Sequence, residues 1–207
     1  MKKLITILMS SILMLGIAGC GGSGKVEQKA AAAPATQNKA ATPVPAGKKS
    51  KVLVAYYSAS GTTKKVAEII AGATGATTLE LKAAQPYSDA DLNYSDSNSR
   101  VSKEHNDKNR TVKLTNAAVA NLADYDTIFI GYPIWWGIAA WPVDEFVKTN
   151  KFDGKKVIPF ATAASSGFGD SGKLLAKMSG TGTWVDGKCF HGTNKSEVES
   201  WVKSLGL

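Results

Sequence analysis

Three short segments of the sequence are rich in residues that bind small ligands, and each follows an apolar run. Residues 58–63 read Ser-Ala-Ser-Gly-Thr-Thr, which places four hydroxyl groups around one glycine. Hydroxyl groups and free N–H groups at the start of a helix bind anions, because the helix dipole favours negative charge there. The segment lacks the GxGxxG and GxxxxGKS/T spacings. A terminal monophosphate therefore fits it better than a pyrophosphate or a nucleoside triphosphate.

The other two segments offer flat apolar surfaces and glycines. Residues 131–137 read Gly-Tyr-Pro-Ile-Trp-Trp-Gly, and residues 161–171 contain Ala, Ser and Gly around Phe168. The adjacent indoles of Trp135 and Trp136 supply a wall for a planar ligand, and Phe168 offers another. Alternatively, these aromatic side chains belong to the core. Gly137, with Gly167 or Gly169 in the later segment, allows a backbone reorientation that other residues resist.

The elements that position these segments are predicted from apolar patterns. Continuous apolar runs at 51–57, 126–132 and 156–162 indicate parallel strands covered on both faces, and the alternation at 77–82 indicates an edge strand. A short last strand is expected at 188–191. Helices are expected to start at a Thr62 or Thr63 cap and end at Gly75, to start at Pro142, to run around 171–178, and to follow an Asn194–Glu197 capping box.

Strands that alternate with helices predict a doubly wound α/β fold. We expect a parallel five-stranded sheet of order 2-1-3-4-5 with helices on both faces, which brings the three segments together at the carboxyl ends of the strands.

Two features of the sequence do not fit this simple fold. Pro159 lies within a predicted interior strand and lacks an N–H group, so we expect a bulge or an unpaired position there. Residues 83–115 are long and polar for one crossover, so we expect an additional helix or an ordered excursion.

The three segments together resemble the flavin-binding loops of the flavodoxin-like family. The pattern Ser58-x-Ser60-Gly61-x-Thr63 resembles the phosphate loop, and the segments at 131–137 and 161–171 are similar to the two ring-binding loops. The likeness extends over residues 51–206. It implies a flavodoxin-like fold with FMN as the cofactor. The cofactor-binding residues that it implies are Ser58, Ser60, Gly61, Thr62, Thr63, Pro133, Ile134, Trp135, Trp136, Gly137, Thr162, Ala163, Ser165, Ser166, Gly167, Phe168 and Gly169.

The resemblance implies a redox protein, with an electron carrier as the first hypothesis. Its partner is then a redox protein or a small-molecule electron donor or acceptor, and the chain supplies no catalytic residue of its own. The alternative is an NAD(P)H- or quinone-linked flavin reductase of the same fold, and a third class is a non-redox binding lipoprotein. No second nucleotide-binding motif is present in the sequence. Flavodoxin electron carriers are strongly acidic, whereas residues 51–207 hold 18 basic and 16 acidic side chains.

The first 50 residues predict export and a lipid anchor. Lys2 and Lys3 precede a short apolar run, which is typical of a signal peptide at 1–19. The sequence Ile-Ala-Gly-Cys at 17–20 resembles the bacterial lipobox, which implies cleavage before Cys20 and lipidation of its thiol. Residues 20–50 are rich in Ala, Pro and Lys and predict a disordered linker. The expected location is the outer face of the bacterial cytoplasmic membrane, or the periplasm or outer membrane.

Other chemistry is not indicated by the sequence. Residues 1–50 hold seven Lys and one acidic residue, a net charge of +6, whereas the 18 basic and 16 acidic side chains of residues 51–207 leave only +2, so no basic surface for nucleic acid is expected on the domain. His105 and His191 lack metal-ligand spacing, and we assign them packing or surface roles. Cys189 is expected to be a buried small residue. No metal site is expected.

Overall fold

The apolar runs of the sequence form the central strands of a parallel sheet. The structure is a computed structural model that describes residues 51–207. The predicted signal peptide (1–19), Cys20 and the linker (20–50) lie outside the described residues. The strands are β1 Val52–Tyr56, β2 Thr77–Glu80, β3 Thr127–Trp135, β4 Ile138–Ala139, β5 Lys156–Thr162, β6 Thr183–Trp184 and β7 Lys188–Phe190. The helices are α1 Thr62–Thr74, α2 Arg100–Asn106, α3 Pro142–Thr149, α4 Ser171–Ser179 and α5 Lys195–Ser204, with a 3₁₀ turn at Leu122–Asp124.

Helices cover both faces of the sheet, as predicted. Helices α1 and α5 pack together over one face, where Val66, Ile70 and Val198 are fully buried. Helices α3 and α4 cover the other face, where Phe146 and Leu175 join the larger apolar cluster. The doubly wound α/β fold expected from the alternation of strands and helices is therefore present.

The number of strands differs from the prediction of five. The sheet has seven strands, with the order β2-β1-β3-β5-β6, while β4 pairs with β3 and β7 pairs with β5. Strand β6 pairs with β5 at Lys156 and Val157, and β7 pairs with β5 from Phe160 to Thr162. Pro159 lies between these two pairings, although it stays in register with Ile130 of β3. The expected unpaired position at Pro159 is confirmed, and it divides the outer strand into two.

The other additional strand, β4, results from an extension of β3. The predicted strand ended at residue 132, whereas β3 continues through Trp135 and turns back into β4. Trp135 pairs with Ile138, so Trp136 and Gly137 are the two turn residues. Both have positive φ, 45° and 79°, as a type I′ hairpin turn requires.

Helix ends follow the sequence signals, with one exception. Helix α1 begins at Thr62, but its N-cap is Gly61, with no side-chain cap, rather than Thr62 or Thr63. Gly75 ends α1 in the left-handed conformation, and Pro142 occupies the first turn of α3. Asn194 accepts a hydrogen bond from the Glu197 N–H at 3.1 Å, which is half of the expected capping box.

The polar stretch at 83–115 is an ordered excursion that contains α2, as expected. Ser99 caps α2 by accepting a hydrogen bond from the Ser102 N–H. Glu104 anchors the helix, because its carboxylate accepts hydrogen bonds from the Tyr87 hydroxyl at 2.5 Å, the Trp141 Nε1 at 2.7 Å and the Arg100 Nε at 2.7 Å. No helix within residues 51–207 is long and apolar enough to cross a membrane.

Asp144, in the first turn of α3, gives the fold a testable pH dependence. Burial raises the pKa of its carboxyl to about 6, although Lys148 and Arg110 act in the opposite direction. Because the folded pKa exceeds the unfolded one, the folded state loses stability as pH rises from about 4 to about 6. Asp144→Asn is therefore expected to raise the free energy of unfolding by about 1–3 kcal/mol at pH 7. The gain should disappear near pH 4.

Urea denaturation across pH 4–8 measures this effect. Glu145→Gln is the matched control, since Glu145 is the next residue and forms an ion pair with Lys113 at 3.3 Å. An Asp144→Asn gain that is equal at pH 4 and pH 7 would contradict the explanation by burial.

Candidate functional site

A cavity of about 730 Å³ lies at the carboxyl ends of β1, β3 and β5. This volume is within the range of small-molecule and cofactor sites. All three loops predicted from the sequence contribute to it, together with two segments that the sequence did not indicate. Its lining residues are Ala59, Ser60, Thr62, Lys65, Asp89, Leu92, Tyr94, Pro133, Ile134, Trp135, Thr162, Ala163, Ala164, His191, Gly192 and Thr193.

The first loop gives the cavity a polar end suited to an anion. Ser60 and Thr62 line the cavity with hydroxyl-bearing side chains, and Lys65 adds a positive charge one turn later. Gly61 has φ of 87° and no side chain to cap the first-turn N–H groups of α1. Lys64 N–H already donates to the Ser58 hydroxyl at 3.1 Å. The Thr62 and Thr63 amides therefore lie where the helix dipole favours an anionic group.

A buried hydrogen bond fixes the first loop to the third. The hydroxyl oxygens of Thr63 and Thr162 are 2.7 Å apart, and both residues are buried. This contact joins the start of α1 to the end of β5 across the sheet. The hydroxyl of Thr63 therefore forms a hydrogen bond between the two loops, whereas Ser60 and Thr62 line the cavity.

Two aromatic side chains give the cavity an apolar side. Trp135 lines it but is only 2% exposed, because it packs edge-on against Tyr57 at 5.8 Å, Tyr87 at 5.5 Å and Trp141 at 4.8 Å between ring centroids. Tyr94 is 51% exposed and lies 6.5 Å from Trp135. Trp135 is therefore the rigid part of the wall, and Tyr94 is its accessible part.

The excursion at 83–115 supplies part of the site that sequence reasoning missed. Asp89, Leu92 and Tyr94 line the cavity from this segment. The sequence predicted order in the segment but gave no signal for its position, because the segment carries no ligand-binding pattern. Its length was the available clue, since long ordered loops are often functional.

A second missed segment follows β7. His191, Gly192 and Thr193 line the cavity, and His191 Nδ1 is 3.2 Å from the carbonyl oxygen of Ala163. His191 is exposed, which agrees with the surface role expected from the sequence, and it also borders the candidate site. Strand β7 lies beside β5, so its end reaches the same edge of the sheet. The short sequence of this strand gave no such indication.

Several predicted site residues do not line this cavity. Ser58 instead caps the Lys64 N–H, Gly61 is the N-cap and Thr63 pairs with Thr162. Trp136 and Gly137 form the hairpin turn, with Trp136 stacked on His105. From the third loop, those outside the cavity lining are Ser165, Ser166, Gly167, Phe168 and Gly169.

Phe168 and the end of the third loop have other neighbours. Phe168 packs close to Gly172 and Gly187, since a Cβ on either glycine would lie within 3.0 Å of its ring. Its ring centroid is 6.3 Å from that of Tyr132. Gly169 has φ of 53°, and a Cβ on it would lie 3.6 Å from the carbonyl oxygen of Gly137. The second and third loops thus meet beside the cavity, even where they do not line it.

The remaining residues of chemical interest form no further site of this kind. The Cys189 thiol is half-buried, contacts the Ser166 carbonyl oxygen at 3.6 Å, and has its pKa raised by burial, so thiolate chemistry is disfavoured. Within residues 51–207, no cluster of three or more His, Cys, Asp or Glu residues could hold a metal ion. The cavity itself combines a polar end that suits an anion with an aromatic side.

A sequence model of the flavodoxin family matches residues 51–205. No curated protein sequence matches the chain.

Solved structures of flavoproteins are similar to the chain. A flavoprotein from Bacteroides eggerthii has 36% identity and a TM-score of 0.70, with 76% of this chain and 99% of that chain covered. A flavoprotein from Bacteroides uniformis has 39% identity and a TM-score of 0.70, with 74% and 98% covered. A Lactobacillus acidophilus flavoprotein in complex with FMN has 25% identity and a TM-score of 0.54, with 73% and 98% covered.

Proposed function

Because this chain belongs to the flavodoxin family, we propose that it binds FMN in the cavity at the carboxyl ends of β1, β3 and β5 and serves as an electron carrier. The observation that carries this proposal is the pairing of an anion-binding end, at Ser60 and Thr62, with an aromatic side, at Trp135 and Tyr94, in one cavity. FMN has a terminal monophosphate and a planar ring system, which match these two ends.

The residues of the site have distinct tasks in this proposal. Bound FMN supplies the redox chemistry, and the protein supplies its position and its electrostatic surroundings. Ser60, Thr62 and the first-turn amides of α1 hold the phosphate, and Lys65 adds a compensating charge. Tyr94 presents an electron-rich ring to the flavin, which disfavours the addition of negative charge, and the buried Trp135 supports this side of the cavity. The Thr63–Thr162 hydrogen bond keeps the phosphate end and the ring end in register.

One feature of the sequence favours a carrier over a reductase. No second nucleotide-binding motif is present in the sequence, so a site for NAD(P)H is not indicated. Tyr94 is 51% exposed at the cavity, which in either role gives a partner protein or a small electron acceptor access to the edge of the flavin. The near neutrality of residues 51–207 favours a partner that does not depend on strong charge attraction.

A spectroscopic and kinetic experiment tests the proposed function. The purified protein is expected to be yellow, to accept electrons from a chemical reductant and to pass them to a one-electron acceptor. It should not oxidise NADH or NADPH by itself. Turnover of NAD(P)H with a quinone acceptor would favour the reductase instead. A colourless protein that does not bind added FMN would overturn the cofactor assignment.

We also propose that the chain is exported and tethered to a membrane through Cys20, on the basis of its lipobox-like sequence. Cys20→Ser is expected to remove lipidation and to release the protein from the membrane fraction, while its flavin spectrum stays unchanged. Several acyl chains on one cysteine are needed for stable attachment, since a single chain binds only marginally. Fractionation in high salt measures this effect. A Ser variant that still sediments with membranes would contradict the proposed anchor.

A further inference from the structure

The Trp136–Gly137 turn places a bulky side chain where the backbone disfavours it. Trp136 has φ of 45° and is the one non-glycine residue with positive φ within residues 51–207. Positions of this kind in type I′ turns favour Asn, Asp and Gly, and the backbone of a bulky residue there is strained. The contacts of the Trp136 side chain must therefore compensate for the strained backbone.

The main contact of Trp136 is a parallel stack on His105. The two ring centroids are 4.3 Å apart and the rings are inclined by 8°. Tyr94 lies on Trp136 at 5.0 Å, and Trp141 is 5.9 Å away. Trp136 remains 40% exposed, so it is held by these rings rather than by enclosure in the core. Two of the three partners, His105 and Tyr94, come from the excursion at 83–115.

The helix that carries His105 is itself fixed to the same hairpin. Glu104 of α2 accepts a hydrogen bond from Trp141 Nε1 at 2.7 Å, and Trp141 lies two residues after the end of β4. The excursion therefore contacts the hairpin at its turn, through His105, and just beyond its second strand, through Glu104. These two contacts hold α2, and with it the ring of His105, against the hairpin.

The first strand of the same hairpin forms part of the cavity wall. Pro133, Ile134 and Trp135 line the cavity, and the Ala140 N–H donates to the Pro133 carbonyl oxygen at 3.0 Å. The turn at Trp136 and Gly137 closes this hairpin directly after Trp135. A change in the turn would therefore displace the residues that form the cavity wall.

We propose that His105 is a positioning residue for the flavin cavity. Its ring stacks on Trp136, holds the turn in the left-handed conformation, and so fixes the wall at 133–135. The effect on FMN rests on the proposed function, whereas the effect on the turn does not. His105 does not line the cavity; it acts through its stack on Trp136, with a second ring contact to Trp141 at 6.5 Å between centroids.

Three variants of the full-length protein separate this role from a general effect on stability. His105→Ala removes the ring, His105→Phe keeps a flat ring, and Lys103→Ala is a control at an exposed position of the same helix. Hydrogen exchange is measured by NMR at the Ile138 and Ala140 amides of the hairpin and at the amides of β1. The dissociation constant of FMN is then measured by fluorescence titration.

In His105→Ala we expect exchange at Ile138 and Ala140 to accelerate about two- to tenfold, the size expected for one aromatic pair. Exchange in β1 should stay unchanged. The FMN dissociation constant should rise about three- to tenfold, and both values should return to within about twofold of the unsubstituted protein in His105→Phe and Lys103→Ala.

Each other outcome has a definite meaning for the proposal. Equal acceleration in the hairpin and in β1 would assign His105 a general structural role and overturn the proposal. Unchanged exchange in His105→Ala would overturn it as well. If the unsubstituted protein bound no FMN while His105→Ala still loosened the hairpin alone, the proposed function would fail but the contact between His105 and the turn would stand.

Discussion

Replacing Ser60 and Thr62 together with alanine is expected to weaken FMN binding about 100- to 1000-fold while riboflavin binding changes less than about threefold. Both residues line the polar end of the cavity, beside the Thr62 and Thr63 amides at the start of α1. Hydrogen bonds to a charged group contribute about 1.5–3 kcal/mol each, and only FMN carries the phosphate. The remaining affinity comes from the helix amides, Lys65 and the ring contacts.

A matched control lies at the other end of the same helix. Thr74 donates its hydroxyl to the Ile70 carbonyl oxygen at 2.8 Å, far along α1 from the cavity lining. Thr74→Ala should leave the dissociation constants of both ligands unchanged in fluorescence titrations. Equal losses of FMN and riboflavin affinity in the Ser60/Thr62 variant would show that the phosphate does not lie at this end.

The second large effect is expected at Trp135, whose replacement by alanine should lower the free energy of unfolding by about 3–5 kcal/mol. The indole is 2% exposed and is packed against Tyr57, Tyr87 and Trp141. Its removal leaves a cavity among rigid aromatic neighbours that cannot collapse to fill it. Urea denaturation of the protein without flavin measures this loss.

Tyr94→Ala is the comparison that separates packing from flavin contact. Because Tyr94 is 51% exposed, its loss should cost less than about 1 kcal/mol of stability. It should nevertheless weaken FMN and increase the fluorescence of the bound flavin, since an aromatic ring near the flavin quenches its emission. A large stability loss in Tyr94→Ala together with unchanged flavin fluorescence would contradict the assignment of Tyr94 to the accessible wall.

The architecture of the domain could be predicted from the sequence because its signals are local. Continuous apolar runs define β1 and β5, and Gly75 and Pro142 mark helix ends through their own backbone preferences. The effect of Pro159 was also predictable, because its missing N–H group acts on its own strand. The count of seven strands was not predictable, since the two-residue β4 and β6 depend on tertiary contacts rather than on pattern.

The candidate site was predictable only in the parts that lie directly after strands. Ser60, Pro133, Trp135 and Thr162 line the cavity because parallel strands end at one edge of the sheet. Trp136 follows Trp135 in the sequence, but the hairpin turn directs it to His105 instead. No local pattern distinguishes these two indoles.

The long-range contributions to the site could not be obtained from the sequence. Tyr94 and His191 reach the cavity from segments that begin far from the three loops, and their placement depends on how the whole chain packs. Phe168 shows the reverse case, because a flat side chain in the correct loop packs beside Gly172 and Gly187 instead.

Mapping the binding of FMN by NMR tests the central claim most directly. When FMN is added to the protein without flavin, we predict that the amide signals with the largest shifts belong to residues 60–63, 89–94, 133–135, 162–164 and 191–193. Riboflavin should reproduce these shifts except at 60–63. Shifts centred instead on the cavity beside Arg110 and Asp144, or around Phe168, would place the ligand elsewhere and contradict the account.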